Sequence, residues 1–220
     1  MADLRKEPRP PDPAPGHDPL EESQLLYGDP VTVLEVQGEW ARVSATEQQE
    51  WTHNRRWEGY PGWMRASDLV RDTGGWPPKN VAVADPRQEI VTAARRMLGV
   101  PYYWGGRSLP DPEAQPPPHR GVDCSGLAGL AYQAAGVTIP RDAHEQWMKA
   151  RRISREHLQP GDLVFLADPE DAHCITHVML YAGDGRVIEG PGTGSSVREI
   201  PLDEKLKEAA GRRVYYGSYL

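Results

Sequence analysis

The residues best equipped for chemistry in this chain are a cysteine, a histidine and a glutamate. Cys124 stands in Gly121-Val122-Asp123-Cys124-Ser125-Gly126-Leu127, where a glycine-containing loop runs into an apolar pattern. Leu127, Leu130, Ala131 and Ala134 recur at the spacing of one buried helical face, and Gly136 supplies the stop. Asp123 is therefore the expected N-cap and Cys124 opens the first turn. Unpaired backbone N–H groups and the helix dipole favour an anion there, so the thiol is expected to ionise more readily than free cysteine. A lone cysteine more often packs as a small hydrophobe. Here the flanking Asp, Ser and Gly speak for exposure and reaction.

A thiol nucleophile needs a base within reach and a third group to orient that base. His177 opens the alternating run His177-Val178-Met179-Leu180-Tyr181-Ala182, in which His177, Met179 and Tyr181 share a face. A hairpin closed by the three residues Gly183-Asp184-Gly185 pairs Ala182 with Arg186 and Met179 with Glu189, which brings Glu189 to the face of His177. A two-residue loop would shift the register by one and turn Glu189 away. With Cys124, His177 and Glu189 assembled, the thiolate attacks an amide carbonyl and backbone N–H groups at the helix start, that of Cys124 among them, meet the oxyanion. His177 protonates the leaving amine and water releases the acyl enzyme. No cofactor is required.

The other histidines have no nameable partner: His17 and His119 lie in proline-rich segments, and His53, His144 and His157 lie among charged residues expected on exposed turns or helices. His173-Cys174-Ile175-Thr176-His177 offers good zinc ligands without the spacing of a closed site, so no metal is expected and Cys174 is read as packing. Trp40, Trp63 and Trp104 are read as core residues. Arg107, Arg120 and Arg141 are candidate carboxylate partners or, equally, solvated charges.

The elements that must position these groups follow from patterning. The 220 residues carry 25 Lys plus Arg against 32 Asp plus Glu, a formal net charge of -7, which speaks against a nucleic-acid partner. Residues 1–19, with six prolines, are expected to form an extended tail or surface strap with no core of its own. Residues 20–72 carry short strands with turn punctuation, including Val31-Thr32-Val33-Leu34-Glu35-Val36 and Gly62-Trp63-Met64, which predict a small barrel. Residues 73–87 read as a linker. Residues 88–220 begin with a helix from Glu89 to Leu98, continue past a proline-rich surface loop at Leu109 to His119, and predict an α+β domain with helices set against an antiparallel sheet. No secretory or membrane-spanning apolar run is present, from which a cytoplasmic protein without membrane attachment is expected. Two cysteines in a reduced compartment suit this reading. Oligomeric state is open.

Five motifs in order carry a resemblance: Pro101-Tyr102-x-Trp104-Gly105-Gly106, Asp123-Cys124-Ser125-Gly126-Leu127, Pro140-Arg141-Asp142, Pro160-Gly161-Asp162-Leu163-Val164-Phe165 and His177-Val178-x-x-Tyr181-x-Gly183. They resemble the NlpC-type bacterial cell-wall cysteine peptidases, of papain-like fold, over most of residues 88–220. The family's third catalytic group lies twelve residues after the histidine, which is Glu189 here where histidine is more usual. Gly59-Tyr60-Pro61-Gly62-Trp63, after Gln24-Leu25-Leu26-Tyr27-Gly28-Asp29, is similar to the SH3-like domain of the family's γ-D-glutamyl-L-diamino-acid dipeptidyl peptidases. The resemblance implies that this domain walls the substrate site, so that murein peptides must present a free N-terminal L-alanine. It implies that Tyr60 faces the substrate and that Asp123, Ser125 and Asp142 contact its N-terminal end, with Ala143 where serine is frequent. Glu22 helps from the first domain, with Glu21 competing for the same slot. Tyr102 lies near the nucleophile or in the core. The implied activity is cleavage between γ-D-glutamate and L-diamino acid (meso-diaminopimelate or lysine) during murein-peptide recycling. The alternatives are a muropeptide-binding protein with a weakened triad and an acyltransferase using the same Cys–His pair.

Overall fold

The computed structural model describes residues 1–11, 18–71, 83–109 and 120–220. Most of the expected linker, His17, His119 and nearly all of the proline-rich loop from Leu109 to His119 lie outside the described residues.

The N-terminal sheet has strands β1 (Ala2–Arg5), β2 (Glu21–Leu25), β3 (Val31–Gln37), β4 (Trp40–Trp51) and β5 (Trp57–Arg65), in the order β2-β1-β5-β4-β3. Alternation decides its interior: Ala41, Val43, Ala45, Tyr60 and Met64 turn inward with Leu4 and Leu25. The expectation of a coreless tail over residues 1–19 is corrected at its start. Ala2–Arg5 is a strand paired to both β2 and β5, and Leu4 is fully buried. Gly62 makes this possible, because a Cβ there would lie 2.5 Å from the Leu4 side chain. Arg5 is buried too, held by Asp18 at 2.9 Å and Glu21 at 3.4 Å. Four residues are too few to show a period against six prolines, so tertiary pairing overrode composition.

The second unit begins with α1 (Pro86–Arg96), whose N-cap Asp85 accepts from the Gln88 N–H at 3.1 Å and whose first residue is proline. A two-stranded ribbon, β6 (Arg107–Ser108) with β7 (Gly121–Val122), leads into α2 (Cys124–Ala134). Then follow α3 (Ala143–Lys149), β8 (Arg151–Ile153), β9 (Leu163–Ala167), β10 (Ile175–Gly183), β11 (Arg186–Glu189), β12 (Arg198–Pro201), α4 (Leu202–Glu208) and β13 (Val214–Ser218). The six longer-range strands form an antiparallel sheet ordered β12-β11-β10-β9-β13-β8. Leu163-Val164-Phe165-Leu166-Ala167 is apolar throughout because β9 is covered on both faces: Leu163, Phe165 and Ala167 meet α1 and α2, whereas Val164 and Leu166 meet α4 residues. This agrees with the expected α+β arrangement. Among the described residues no helix is long and apolar enough to cross a membrane.

The hairpin that decides Glu189 differs in detail from expectation. Its turn has two residues, Asp184 and Gly185, both at positive φ (50° and 69°), and Gly183 pairs with Arg186. Alone, that closure would turn Glu189 from the face of His177. A bulge at Ala182 absorbs the extra residue, so Tyr181 pairs Val187 and Leu180 pairs Ile188. The expected register beyond the bulge therefore holds although its closing loop does not.

Candidate active site

Cys124 is the first residue of α2 and is half-buried, with its thiol free. The backbone N–H groups of Val178 and Ser125 donate to its sulfur, which sets the thiol beside the residue following His177. The expectation of a readily ionised thiol is not met. Burial first, then the Asp123 carboxylate, push the thiol up to about 12, and the two N–H donors with the Arg141 charge recover only part. His177 is buried, and burial lowers its pKa despite the opposing hydrogen bond that it donates to Glu189. Both shifts favour the neutral thiol and the neutral imidazole over an ion pair.

His177 Nε2 lies 2.7 Å from Glu189 Oε2, which leaves Nδ1 for the thiol. Glu189 is fully buried and has four charged or polar donors. Oε2 also takes Lys205 Nζ at 2.9 Å, while Oε1 accepts from Arg198 Nε at 3.0 Å and Nη2 at 2.7 Å. Burial raises its pKa, but the bonds from His177 and Lys205 outweigh that and bring it down to about 2. A carboxylate there is therefore permanently charged and anchored. Lys205 and Arg198, which make this possible, carried no sequence signal, because they come from α4 and β12 and meet only in the folded sheet.

A cleft of about 570 Å³ runs past these groups and is lined by Glu22, Tyr60, Tyr102, Asp123, Cys124, Ser125, Asp142 and His177. Glu189 is the one candidate set behind it, reached through His177. Along β2, alternation settles the competition between the two glutamates: Glu21 is fully buried beneath Arg5, and Glu22 faces the cleft. Burial, with Asp3 second, pushes Glu21 up to about 10. Tyr60 donates its O–H toward Asp142 Oδ2 at 3.0 Å and Glu22 Oε2 at 3.2 Å. Asp142 occupies the N-cap position of α3 without capping it, so its carboxylate stays turned to Tyr60 and the cleft. Burial, then Asp142, raise Glu145 on the same wall to about 7. Tyr102 lines the cleft with its phenol raised by burial and by Cys124, and so remains a donor beside the sulfur.

Asp123 and Ser125 line the cleft with side chains already engaged. Asp123 Oδ1 accepts from the Gly126 N–H (2.6 Å), Ser125 Oγ (3.1 Å) and Arg141 Nη1 (3.2 Å), and Oδ2 from the Gly105 N–H (3.0 Å) and Arg141 Nη2 (2.7 Å). Arg141 is buried, not solvated, and also donates to Ser125 Oγ at 2.8 Å and to Ser23 Oγ of β2 at 2.7 Å. Arg107 is buried as well, bound to Gln24 O at 3.0 Å and Asp29 at 3.1 Å. Both tie the second unit to the first.

Four further sequence readings are corrected. Trp104 is half exposed at the cleft rather than in a core, although the two glycines after it are buried. His144 has a partner, accepting from the Ile175 N–H at 3.2 Å on the cleft wall. Cys174 is exposed. Lys6, from the supposed tail, lines the cleft and pairs with Glu22 at 2.8 Å.

Residues 99–214 match the NlpC/P60 family. The chain is similar to a γ-D-glutamyl-L-lysine dipeptidyl-peptidase of Bacillus cereus (28% identity, 88% of this chain and 75% of the relative) and to one of Bacillus subtilis (26%, 87% and 79%). It superposes on the crystal structure of an NlpC/P60 family protein from Bacillus cereus with a TM-score of 0.73 at 25% identity, covering 91% of this chain and 83% of that one. With more than half its length matched, and the candidate nucleophile and base both inside the matched span, the chain belongs to the NlpC/P60 family of cysteine peptidases.

Proposed function

We propose that this protein is a γ-D-glutamyl-L-diamino-acid peptidase that takes short murein peptides by their free N-terminal L-alanine and releases L-Ala-D-Glu, in the cytoplasm, during cell-wall recycling. Cys124 is the nucleophile, His177 the base and Glu189 the group that orients it. The names of the two Bacillus relatives support the bond cleaved, and their similarity extends over both units of this chain. We read the N-terminal sheet, taken as residues 20–72 and now joined by Ala2–Arg5, as an SH3-like barrel that walls the cleft.

One observation carries the reading. Tyr60 holds Glu22 and Asp142, carboxylates from the two units, on one hydroxyl inside the cleft that contains Cys124. Two carboxylates on one donor suit an ammonium group, which would share Glu22 with Lys6, and a wall built from another domain suits a chain that ends there. The α-amine of L-alanine binds at this end, which sets the γ-carbonyl of D-glutamate over the thiol. As sulfur bonds to that carbon, the S–H proton passes to His177 Nδ1. The C–N bond then breaks, His177 returns the proton to the departing amine, and water activated by His177 hydrolyses the thioester. The α2 N-terminus and the Tyr102 O–H stabilise the oxyanion.

The test is L-Ala-γ-D-Glu-meso-diaminopimelate against its N-acetylated form, with products identified by mass spectrometry. Loss of two charge-assisted contacts on acetylation should cost about 10²-fold in kcat/KM. Equal cleavage of both, or preference for longer capped peptides, would replace this reading with an endopeptidase of intact wall. A protein that binds the peptide and cuts neither form would be the binding protein.

Replacing Glu189 is expected to lower kcat/KM by about 10²-fold or more, at the lower end of what general acid–base groups supply. In Glu189→Ala, His177 loses the carboxylate that favours its protonation, while Lys205, left with Glu208 as counter-charge, still opposes it, so the imidazole becomes harder still to protonate. Glu189→Gln keeps an acceptor but loses the charge and should fall between. Activity within about threefold of wild type for Glu189→Ala, measured as kcat/KM in a protein shown to be folded, would remove Glu189 from the mechanism.

A further inference from the structure

Opposite in charge to the ammonium end of the cleft is a cation with no assigned task. Arg212 lines the cleft on the His177 side. Its guanidinium is held from behind by neutral acceptors: Nε donates to Ala167 O at 2.6 Å, Nη2 to Leu166 O at 3.2 Å and also to Thr176 Oγ1. Among the described residues Nη1 has no protein acceptor and Arg212 has no carboxylate partner. The neighbouring cations differ in this respect, since Lys205 is spent on Glu189 and Lys6 on Glu22. Arg212 is near enough to His177 for its charge to count against the imidazolium. A fixed arginine facing a cleft without a counter-ion adds to the burden on the catalytic base and is compensated only when an anion arrives.

We propose that Arg212 is a specificity residue for the leaving side of the substrate, binding a carboxylate carried by the diamino acid that departs. The inference rests on the reading of the cleft given above, in which the N-terminal amine occupies the Glu22–Asp142 end. It makes the cleft a dipole, acidic where the substrate begins and basic beyond the scissile bond, matched to a short peptide with an amine at one end and a carboxylate at the other. Two carboxylates meet the description: the α-carboxylate of a terminal diamino acid, and the side-chain carboxylate that distinguishes meso-diaminopimelate from lysine. Arg212 takes no part in bond making and acts on KM and on which substrate is chosen.

The experiment compares wild type, Arg212→Ala and Arg212→Lys on three peptides with free N-termini: L-Ala-γ-D-Glu-L-Lys, the same peptide with its C-terminal carboxyl amidated, and L-Ala-γ-D-Glu-meso-diaminopimelate amidated at the α-carboxyl only. Arg212→Ala is expected to lose about tenfold or more in kcat/KM, mostly as KM, on peptides with the recognised carboxylate, and to cause no loss on the lysine amide, with Arg212→Lys intermediate. A loss confined to the lysine acid assigns the α-carboxylate, and a loss confined to the diaminopimelate peptide assigns the side-chain carboxylate. Equal losses on all three, amide included, would show that Arg212 does not read a carboxylate of the diamino acid and would overturn the proposal. So would no loss on any. The lysine amide lacks both carboxylates, so its cleavage by wild type tests the function itself. If wild type cuts none of the three, the underlying reading fails and this inference falls with it.

Discussion

Cys124→Ala is expected to abolish hydrolysis, by about 10⁴-fold or more, while the protein stays folded and still binds its peptide. Sulfur removal deletes the atom that forms the acyl enzyme and leaves the cleft, the Asp123 cap and the Arg141 network in place. Cys124→Ser should be almost as inactive. Its hydroxyl is far less acidic than a thiol, and His177, whose pKa burial lowers, has little drive to take its proton. The same environment sets the chemistry of the free thiol. Because burial and Asp123 hold its pKa up near 12, above the ordinary value, Cys124 is more protonated at any given pH than an exposed cysteine. Iodoacetamide should therefore label exposed Cys174 before Cys124 at neutral pH, and labelling of Cys124 should climb about tenfold per pH unit well into the alkaline range. Peptide mapping by mass spectrometry reads both rates. Activity above about 1% in Cys124→Ala would end the covalent mechanism. Faster labelling of Cys124 than Cys174 at neutral pH would mean a preformed thiolate–imidazolium pair instead of a neutral one.

The second large effect is on stability. Arg141→Met is expected to cost about 3–5 kcal/mol, because it removes one partner of a buried pair and leaves Asp123 charged among neutral donors. For a chain of this size that is a fall of roughly 10 °C in melting temperature. Arg141→Lys should recover only part of it, since a point charge cannot serve Asp123 Oδ1 and Oδ2, Ser125 Oγ and Ser23 Oγ together. Activity should fall with it, for Asp123 caps the helix that presents Cys124, and Ser23 belongs to the strand that presents Glu22. Calorimetry with kcat/KM measured well below the transition separates the two effects. A melting temperature within about 2 °C of wild type in Arg141→Met would show that the buried pair contributes little to stability.

Much of the candidate site was legible because local chemistry announces itself. A glycine-flanked cysteine after a capping aspartate, and a histidine opening an alternating strand, need only a few neighbours to be recognised, and Asp123 does cap α2. The Glu189 parity was readable too, but for an incomplete reason: the turn has two residues, and a bulge at Ala182, without any residue-type signature, restores the register. The thiol's environment was misjudged for a related cause. The helix terminus is a local feature that favours the thiolate, whereas burial, the largest effect against it, depends on everything packed above α2.

What the amino-acid sequence determined by itself was the periodicity: an apolar helix behind Cys124, a strand apolar on both faces at Leu163–Ala167, and the α+β order of elements. Periodicity is written in neighbours a few residues apart, so one chain suffices to read it. Only the tertiary structure decided that Leu4 and Arg5 belong to a core, that Glu22 and not Glu21 faces the cleft, that Arg141 is buried between two units, and that Lys205, Arg198 and Arg212 surround the histidine. Each of these depends on pairing between residues far apart in the chain. Whether a charged side chain meets water or a counter-ion is settled by such pairing, because burial and partner, rather than residue type, set the free energy of a charge.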